Sequence, residues 1–310
     1  MVQYPLIMGL PRIAIVGMGK VGGTLAYDLA VREAAAELVI IRRTREKAAA
    51  DAEDLRPALA PGSPVSLRAG VLEDAAGCAV VVLAADARQG PIQSRLELVA
   101  DNVELMRQIV PRLAKAAPDA MVLVATNPVD VIAWHVLRLG RFDRGQVLSS
   151  GTVLDTARLH ACLARWVGAD ARDVEGYVIG EHGDQAIVAW STVTVAGRPV
   201  EAPDRTVVER EVREAGMRIY KAKGGSVYGI CGTLSRIVRA LASDSEETLT
   251  VSTDLNGALG IEDVFLSLPC RVGRGAVKAA PPRLGVEEER MFRESAQRVL
   301  SVAESAVGRA

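Results

Sequence analysis

Three side chains in the second half of the chain have the types and spacing to move a proton beside a bound carboxylate. His182 lies in Gly180-Glu181-His182-Gly183-Asp184, a polar segment flanked by glycine that reads as a loop. A histidine titrates nearest neutral pH and is the side chain best matched to proton transfer there. The other two histidines, His135 and His160, fall in helical, largely apolar stretches and are given no chemical role. Asp155 and Arg158 stand three residues apart in Leu154-Asp155-Thr156-Ala157-Arg158, on one face of a helix. The acid can orient an imidazole. The planar guanidinium can grip a carboxylate with two parallel hydrogen bonds.

A second constellation sits near the N-terminus. The β-branched run Arg12-Ile13-Ala14-Ile15-Val16 leads into Gly17-Met18-Gly19-Lys20-Val21-Gly22, then into an Ala/Leu-rich helical stretch. This is G-x-G-x-x-G between a strand and a helix, the context in which the pattern marks a dinucleotide-binding turn. The glycines let backbone N–H groups approach a pyrophosphate, and the helix N-terminus supplies partial positive charge. About twenty residues on, a carboxylate should accept from the ribose 2′-hydroxyl of NAD(H). Here Glu37–Ile41 is followed by Arg42, Arg43 and Thr44. A solvated basic loop explains the arginines but not the missing acid. Two guanidinium groups and a hydroxyl suit a 2′-phosphate. The expectation is therefore NADP(H) preferred, with NAD(H) possible.

The elements that must position these groups alternate through the first half. Glu46–Leu59 reads as a helix, Ala79–Ala84 as a buried strand, and Arg95–Ala116 as a long helix that Pro111 kinks or divides. Met121–Ala125 is a further strand ending at Thr126-Asn127-Pro128, and Val129–Leu139 is helical. This alternation predicts a doubly wound parallel sheet with its ligand over the carboxyl ends of the strands. Gly17, Arg42, the segment from Ala84 to Gln89, and Asn127 all fall at such ends. The second half is mixed: a helix over Thr152–Trp166, strands at Tyr177–Ile179 and Ile187–Val195, helices at Glu209–Ala222 and Ser226–Ala242, hairpins within Val251–Ser267 and Cys270–Lys278, and a last helix over Glu287–Val307. Ser149-Ser150-Gly151 divides a dinucleotide-binding domain, 1–149, from a catalytic and substrate domain, 150–310.

Composition narrows the function classes. The chain has 310 residues, 49% hydrophobic and 24% charged, with a net charge of −1. These values fit a globular protein of one large or two smaller domains and give no reason to expect a nucleic-acid partner. Cys78, Cys162, Cys231 and Cys270 are scattered without metal-ligand spacing, so neither a metal site nor a disulfide framework is expected. No stretch reads as a signal peptide, and the longest apolar run, Ala75–Ala85, is too short to cross a bilayer. A cytoplasmic location and no membrane partner are the corresponding expectations.

Six runs, in order, resemble the lactate/malate dehydrogenase family along nearly the full length. They are Val16–Gly22, Ala87–Arg95, Thr126–Asp130, Gly151–Arg158, Gly180–Asp184 and Ser267–Cys270. The resemblance implies a Rossmann-type doubly wound parallel sheet followed by a mixed α+β substrate domain, an α/β protein that assembles as a homodimer or homotetramer. It implies that His182 exchanges a proton with the substrate oxygen, that Asp155 holds the imidazole, and that Arg158 binds the substrate carboxylate. It implies, too, that Arg95 polarises the carbonyl from a mobile loop and that Asn127 hydrogen-bonds the reacting oxygen. Gly17, Met18, Gly19, Lys20, Val21, Gly22, Arg42, Arg43, Thr44, Ala84 and Asn127 line the cofactor. Gln89 occupies the loop position where malate-type enzymes carry Arg and lactate-type enzymes Gln, which favours a monocarboxylic 2-oxo/2-hydroxy acid. Small residues at Gly90 and Ser226 leave room for a side chain larger than methyl. Two other readings stay open: a malate dehydrogenase in which Arg88 sets specificity, and a non-catalytic nucleotide sensor on the same fold.

Overall fold

The computed structural model describes residues 10–87, 95–200, 204–243 and 245–306. Its centre is an eight-stranded sheet. Strands β1 (Arg12–Val16), β2 (Glu37–Ile41), β3 (Ser66–Gly70), β4 (Val80–Leu83), β5 (Met121–Val124) and β6 (Val147–Ser149) pair in parallel. Two later strands, β11 (Ser252–Asp254) and β12 (Phe265–Ser267), join antiparallel at the β6 edge. The order is β12-β11-β6-β5-β4-β1-β2-β3. The central strands are unbroken apolar runs because helices cover both faces and leave no solvent side to pattern.

One face is covered by α3 (Arg95–Ala116), α4 (Val129–Gly140) and α8 (Val286–Ser305), through residues such as Met106, Leu113, Ile132 and Phe292. The other is covered by α1 (Lys20–Val31), α2 (Arg45–Leu55) and α7 (Tyr228–Ala242), through Leu25, Leu29, Ala48, Leu234 and Ile237. A third cluster packs α5 (Val153–Val167) and α6 (Arg205–Lys223) on the antiparallel strands β7 (Val174–Ile179) and β8 (Ile187–Val195), which β9 (Arg198–Pro199) extends. Strands β10 (Glu247–Leu249), β13 (Cys270–Gly273) and β14 (Ala276–Ala279) form a last small sheet.

Strand order reverses at β1, which has β2 on one side and β4 on the other. That is the switch point where the loops after β1 and β4 diverge and leave a crevice. Two details depart from expectation. β3 is a sixth parallel strand that the pattern of Ser66-Leu67-Arg68-Ala69-Gly70 does not announce. Pro111 does not divide α3, which runs unbroken through it. The proline removes one backbone donor, and the buried Met106, Val110 and Leu113 hold the helix on the core regardless. Ser149, Ser150 and Gly151 are buried, and β11 pairs with β6 at Ser149 and Leu148.

Candidate active site

The glycine loop is built for close approach. Gly17 has φ +98°, and a Cβ there would lie 2.7 Å from Ala85 backbone atoms, where the β1 and β4 loops meet. A Cβ on Gly22 would lie 1.9 Å from Gly17 O, so α1 can pack against the strand end only with glycine at this position. Gly19, the N-cap of α1, has nothing within 4 Å of its Cβ direction, leaving its backbone open to a ligand. No acidic residue stands in the first turn of α1, which begins at Lys20, so the helix end keeps its positive potential. Met18 and Val21 are half-buried against the core cluster beneath α1, and the Cys231 thiol donates to Val21 O at 3.3 Å. These residues fit a dinucleotide pyrophosphate.

At the end of β2 the side chains are less free than the sequence suggested. Arg42 Nε lies 2.8 Å from Asp51 Oδ2. Arg45 is paired with Asp74. The Thr44 hydroxyl caps α2, accepting from Lys47 N at 3.5 Å. Arg43 is exposed.

Across the crevice, two carboxylates converge on His182. Its Nδ1 lies 2.7 Å from Asp155 Oδ2, and its backbone N–H donates to Asp130 Oδ2 at 2.9 Å. An ionised carboxylate only accepts, so Nδ1 carries the proton and Nε2 is left to work. Burial disfavours the charged ring. The charge and hydrogen bond of Asp155, with Asp130 behind them, outweigh it and hold the pKa above the ordinary value. Burial raises Asp155, yet His182 and then Arg158 overcome this and keep its carboxyl below the usual range. Burial pushes Asp130 up to about 6.

The His182 loop is pinned at several points. Gly180 exchanges two backbone hydrogen bonds with Ser267, at 2.9 and 3.1 Å, and Glu181 N donates to Ser295 Oγ. Arg158 Nη1 donates to Asp155 Oδ1 at 3.0 Å. The guanidinium also faces α6, where a Cβ on Gly216 would lie 3.7 Å from Nη1 and 3.9 Å from Nη2. A carboxylate bound by Arg158 would therefore sit one side chain from the imidazole.

Asn127 follows β5 and is exposed. Its backbone carbonyl accepts from Asn102 Nδ2 at 2.8 Å, while Asn102 Oδ1 accepts from Ala87 N at 2.8 Å. Asn102 is fully buried and ties the β4 loop to the β5 loop. Ser226 is half-buried in the turn between α6 and α7. Three residues on, Gly229 packs against Leu154, the neighbour of Asp155. Arg95 opens α3, but its side chain, with Gln89, Arg88 and Gly90, lies outside the described residues. His135 is buried, pushed down to about 4 by burial, and His160 Nε2 is 2.8 Å from Gly176 O.

Sequence reasoning missed Asn102 and Asp130. Each interrupts an apolar helical stripe with one polar group, a weak signal shared with many surface positions. Among the described residues no cluster could hold a metal ion, and no helix is long and apolar enough to cross a membrane.

Comparison with known families agrees with this layout. The lactate/malate dehydrogenase NAD binding domain matches residues 11–149, and the lactate/malate dehydrogenase alpha/beta C-terminal domain matches residues 152–308. The chain belongs to the lactate/malate dehydrogenase family. It is therefore an oxidoreductase of the nicotinamide-dependent 2-hydroxy-acid dehydrogenase class. Within this dehydrogenase family it is 40% identical to an L-lactate dehydrogenase of Thermus aquaticus, over 96% of this chain and 99% of that one. It is 38% identical to one from Thermoanaerobacter sp. (strain X514), over 94% and 97%. Among solved dehydrogenases, the ligands-bound minor L-lactate dehydrogenase of Enterococcus mundtii superposes with a TM-score of 0.90 at 34% identity, covering 96% of this chain and 98% of that one.

Proposed function

We propose that this chain is an L-lactate dehydrogenase-type enzyme that prefers NADP(H) and interconverts a monocarboxylic 2-oxo acid with its L-2-hydroxy acid. The observation that carries the reading is the line from Arg158 through Asp155 to His182, with Nε2 of the ring left free for substrate.

The nicotinamide, when bound, supplies or accepts the hydride. Everything else falls to the chain's own groups. Arg158 holds the substrate carboxylate and so fixes the reacting carbon relative to His182. In reduction, His182 gives its Nε2 proton to the carbonyl oxygen; in oxidation it takes the hydroxyl proton back. Asp155 stabilises the ring in its protonated form and fixes its orientation. Asn127 and Arg95 donate to the oxygen as charge builds on it. Gln89 and Ser226 shape the pocket for the rest of the substrate. A dinucleotide domain over 1–149, a substrate domain over 150–310, a homodimer or homotetramer and a cytoplasmic location complete the proposal.

Two assays test its finer parts. With saturating pyruvate, the wild-type protein shows a higher kcat/KM for NADPH than for NADH, and Arg42→Asp reverses that order by restoring a carboxylate at the strand end. A wild type faster with NADH rejects the cofactor reading. With the preferred cofactor, Gln89→Arg moves specificity from pyruvate and longer neutral 2-oxo acids toward oxaloacetate. The new cation pairs a second carboxylate and faces an apolar side chain unpaired. A wild type that already favours oxaloacetate replaces the lactate-type reading with the malate-type one.

A further inference from the structure

Three arginines stand within four positions at the end of β2, and their surroundings differ. Arg45 is spent on Asp74, which also binds Arg68 at 3.0 Å. Arg43 is exposed, with no partner among the described residues. Arg42 lies between. Its Nε faces Asp51 Oδ2 at 2.8 Å, and its Nη1 reaches 3.5 Å toward Met18 O in the glycine loop. Arg42 thus spans from the strand end to the cofactor turn, with Asp51 of α2 on its flank. The Nε and Oδ2 atoms are closed off from solvent and oppose each other as charges, without hydrogen-bond alignment. Both side chains still keep part of their surface exposed, 31% and 25%.

The chain therefore lacks a carboxylate at the C-terminal end of β2 but has one beside it, brought in from the next helix. Its charge acts in two ways. It takes up part of Arg42's attraction for an anion, and it repels a dianion that approaches the same place.

We infer that Asp51 is a specificity residue for the adenosine 2′ position, holding Arg42 partly neutralised and so restraining binding of a 2′-phosphate. This rests on the reading that the β2 end meets the adenosine ribose. Preference for NADP(H) then arises from Arg43 together with the share of Arg42 that Asp51 leaves available, and Asp51 keeps NAD(H) acceptable.

The test is calorimetric binding of 2′,5′-ADP and of 5′-AMP, two ligands that differ only in the 2′-phosphate. Asp51→Asn keeps the shape of the side chain and removes its charge. It tightens 2′,5′-ADP about fivefold, a reasonable yield for a partly exposed ion pair, and leaves 5′-AMP within about twofold. Asp51→Ala, which favours the helix, shifts the ratio the same way. In an Arg42→Ala background the Asp51→Asn gain falls below about twofold, because the charge it frees is gone. The inference is overturned if 2′,5′-ADP affinity is unmoved in both Asp51 variants, if 5′-AMP tightens equally, or if the gain is undiminished without Arg42. Failure of the cofactor reading looks different. A wild type faster with NADH, together with a gain in 2′,5′-ADP affinity on Asp51→Asn, removes the NADPH preference and leaves the role of Asp51 standing.

Discussion

His182→Asn lowers kcat for 2-oxo-acid reduction by about 10²–10⁴, the usual contribution of a positioned general acid, while the dissociation constant for the reduced cofactor stays close to that of the wild type. Asparagine preserves a polar group of modest size in the loop but cannot carry a proton between pH 5 and 9. The loop itself remains anchored through Gly180, Ser267 and Ser295. The wild-type pH profile carries the matching signature. Reduction draws on the protonated ring, whose pKa is held above the ordinary 6.5 by Asp155 and Asp130. So kcat/KM for the 2-oxo acid falls as pH rises past the elevated pKa, at a higher pH than an ordinary imidazole would set. Oxidation of the hydroxy acid uses the neutral ring and rises over that range. Asp155→Asn removes the main charge favouring the protonated form and brings the falling limb of reduction to lower pH. Near-wild-type turnover in His182→Asn rules out this mechanism.

Arg158→Lys costs nearly as much, about 10²-fold or more in kcat/KM, of the order seen when a reacting group is misplaced by an ångström. The loss falls on both kinetic constants. A lysine presents a point charge on a flexible stem, without the planar fork that holds a carboxylate at a fixed angle. It also gives up the aligned donor that Arg158 extends to Asp155 Oδ1 at 3.0 Å, leaving that oxygen less well compensated in a buried position. Initial rates over a range of pyruvate concentrations separate the effects. A variant with raised KM and unchanged kcat assigns Arg158 to substrate capture alone and removes it from the positioning of His182.

The parts of this molecule legible in its sequence are those where one physical demand dominates. Strands buried on both faces have to be apolar throughout, so Val80–Leu83 and Met121–Val124 announce themselves. A strand-to-helix turn that admits a ligand needs Gly17, Gly19 and Gly22 in that spacing. β3 is the counter-case. It lies at the sheet edge, half-covered, and Ser66-Leu67-Arg68-Ala69-Gly70 offers only a short polar–apolar alternation with no β-branched or aromatic residue to mark a strand. The pairing of His182 with Asp155 was readable from residue types together with family likeness, though 27 residues separate them. Asn102 and Asp130 were not, since a lone Asn or Asp on a helix looks the same whether it meets water or a backbone group. Thr44 is legible in two ways at once: its place before α2 suits an N-cap as well as a phosphate contact, and its hydroxyl accepts from Lys47 N while its own proton is left to donate.

The eight-stranded sheet has a consequence for how defects propagate. β1 ends in the glycine loop, β5 in Asn127, and β6 feeds the turn into the helix of Asp155 and Arg158; β12 ends at Ser267, which grips the His182 loop. The shelf for the cofactor and the acid–base pair are therefore hung from a single woven lattice of backbone hydrogen bonds, without a joint between them. A packing fault deep in that lattice, at Val82 or Leu123 for instance, tilts both ends together. It shows up as coupled losses in cofactor affinity and turnover, whereas a fault in the surface loops spoils one and spares the other.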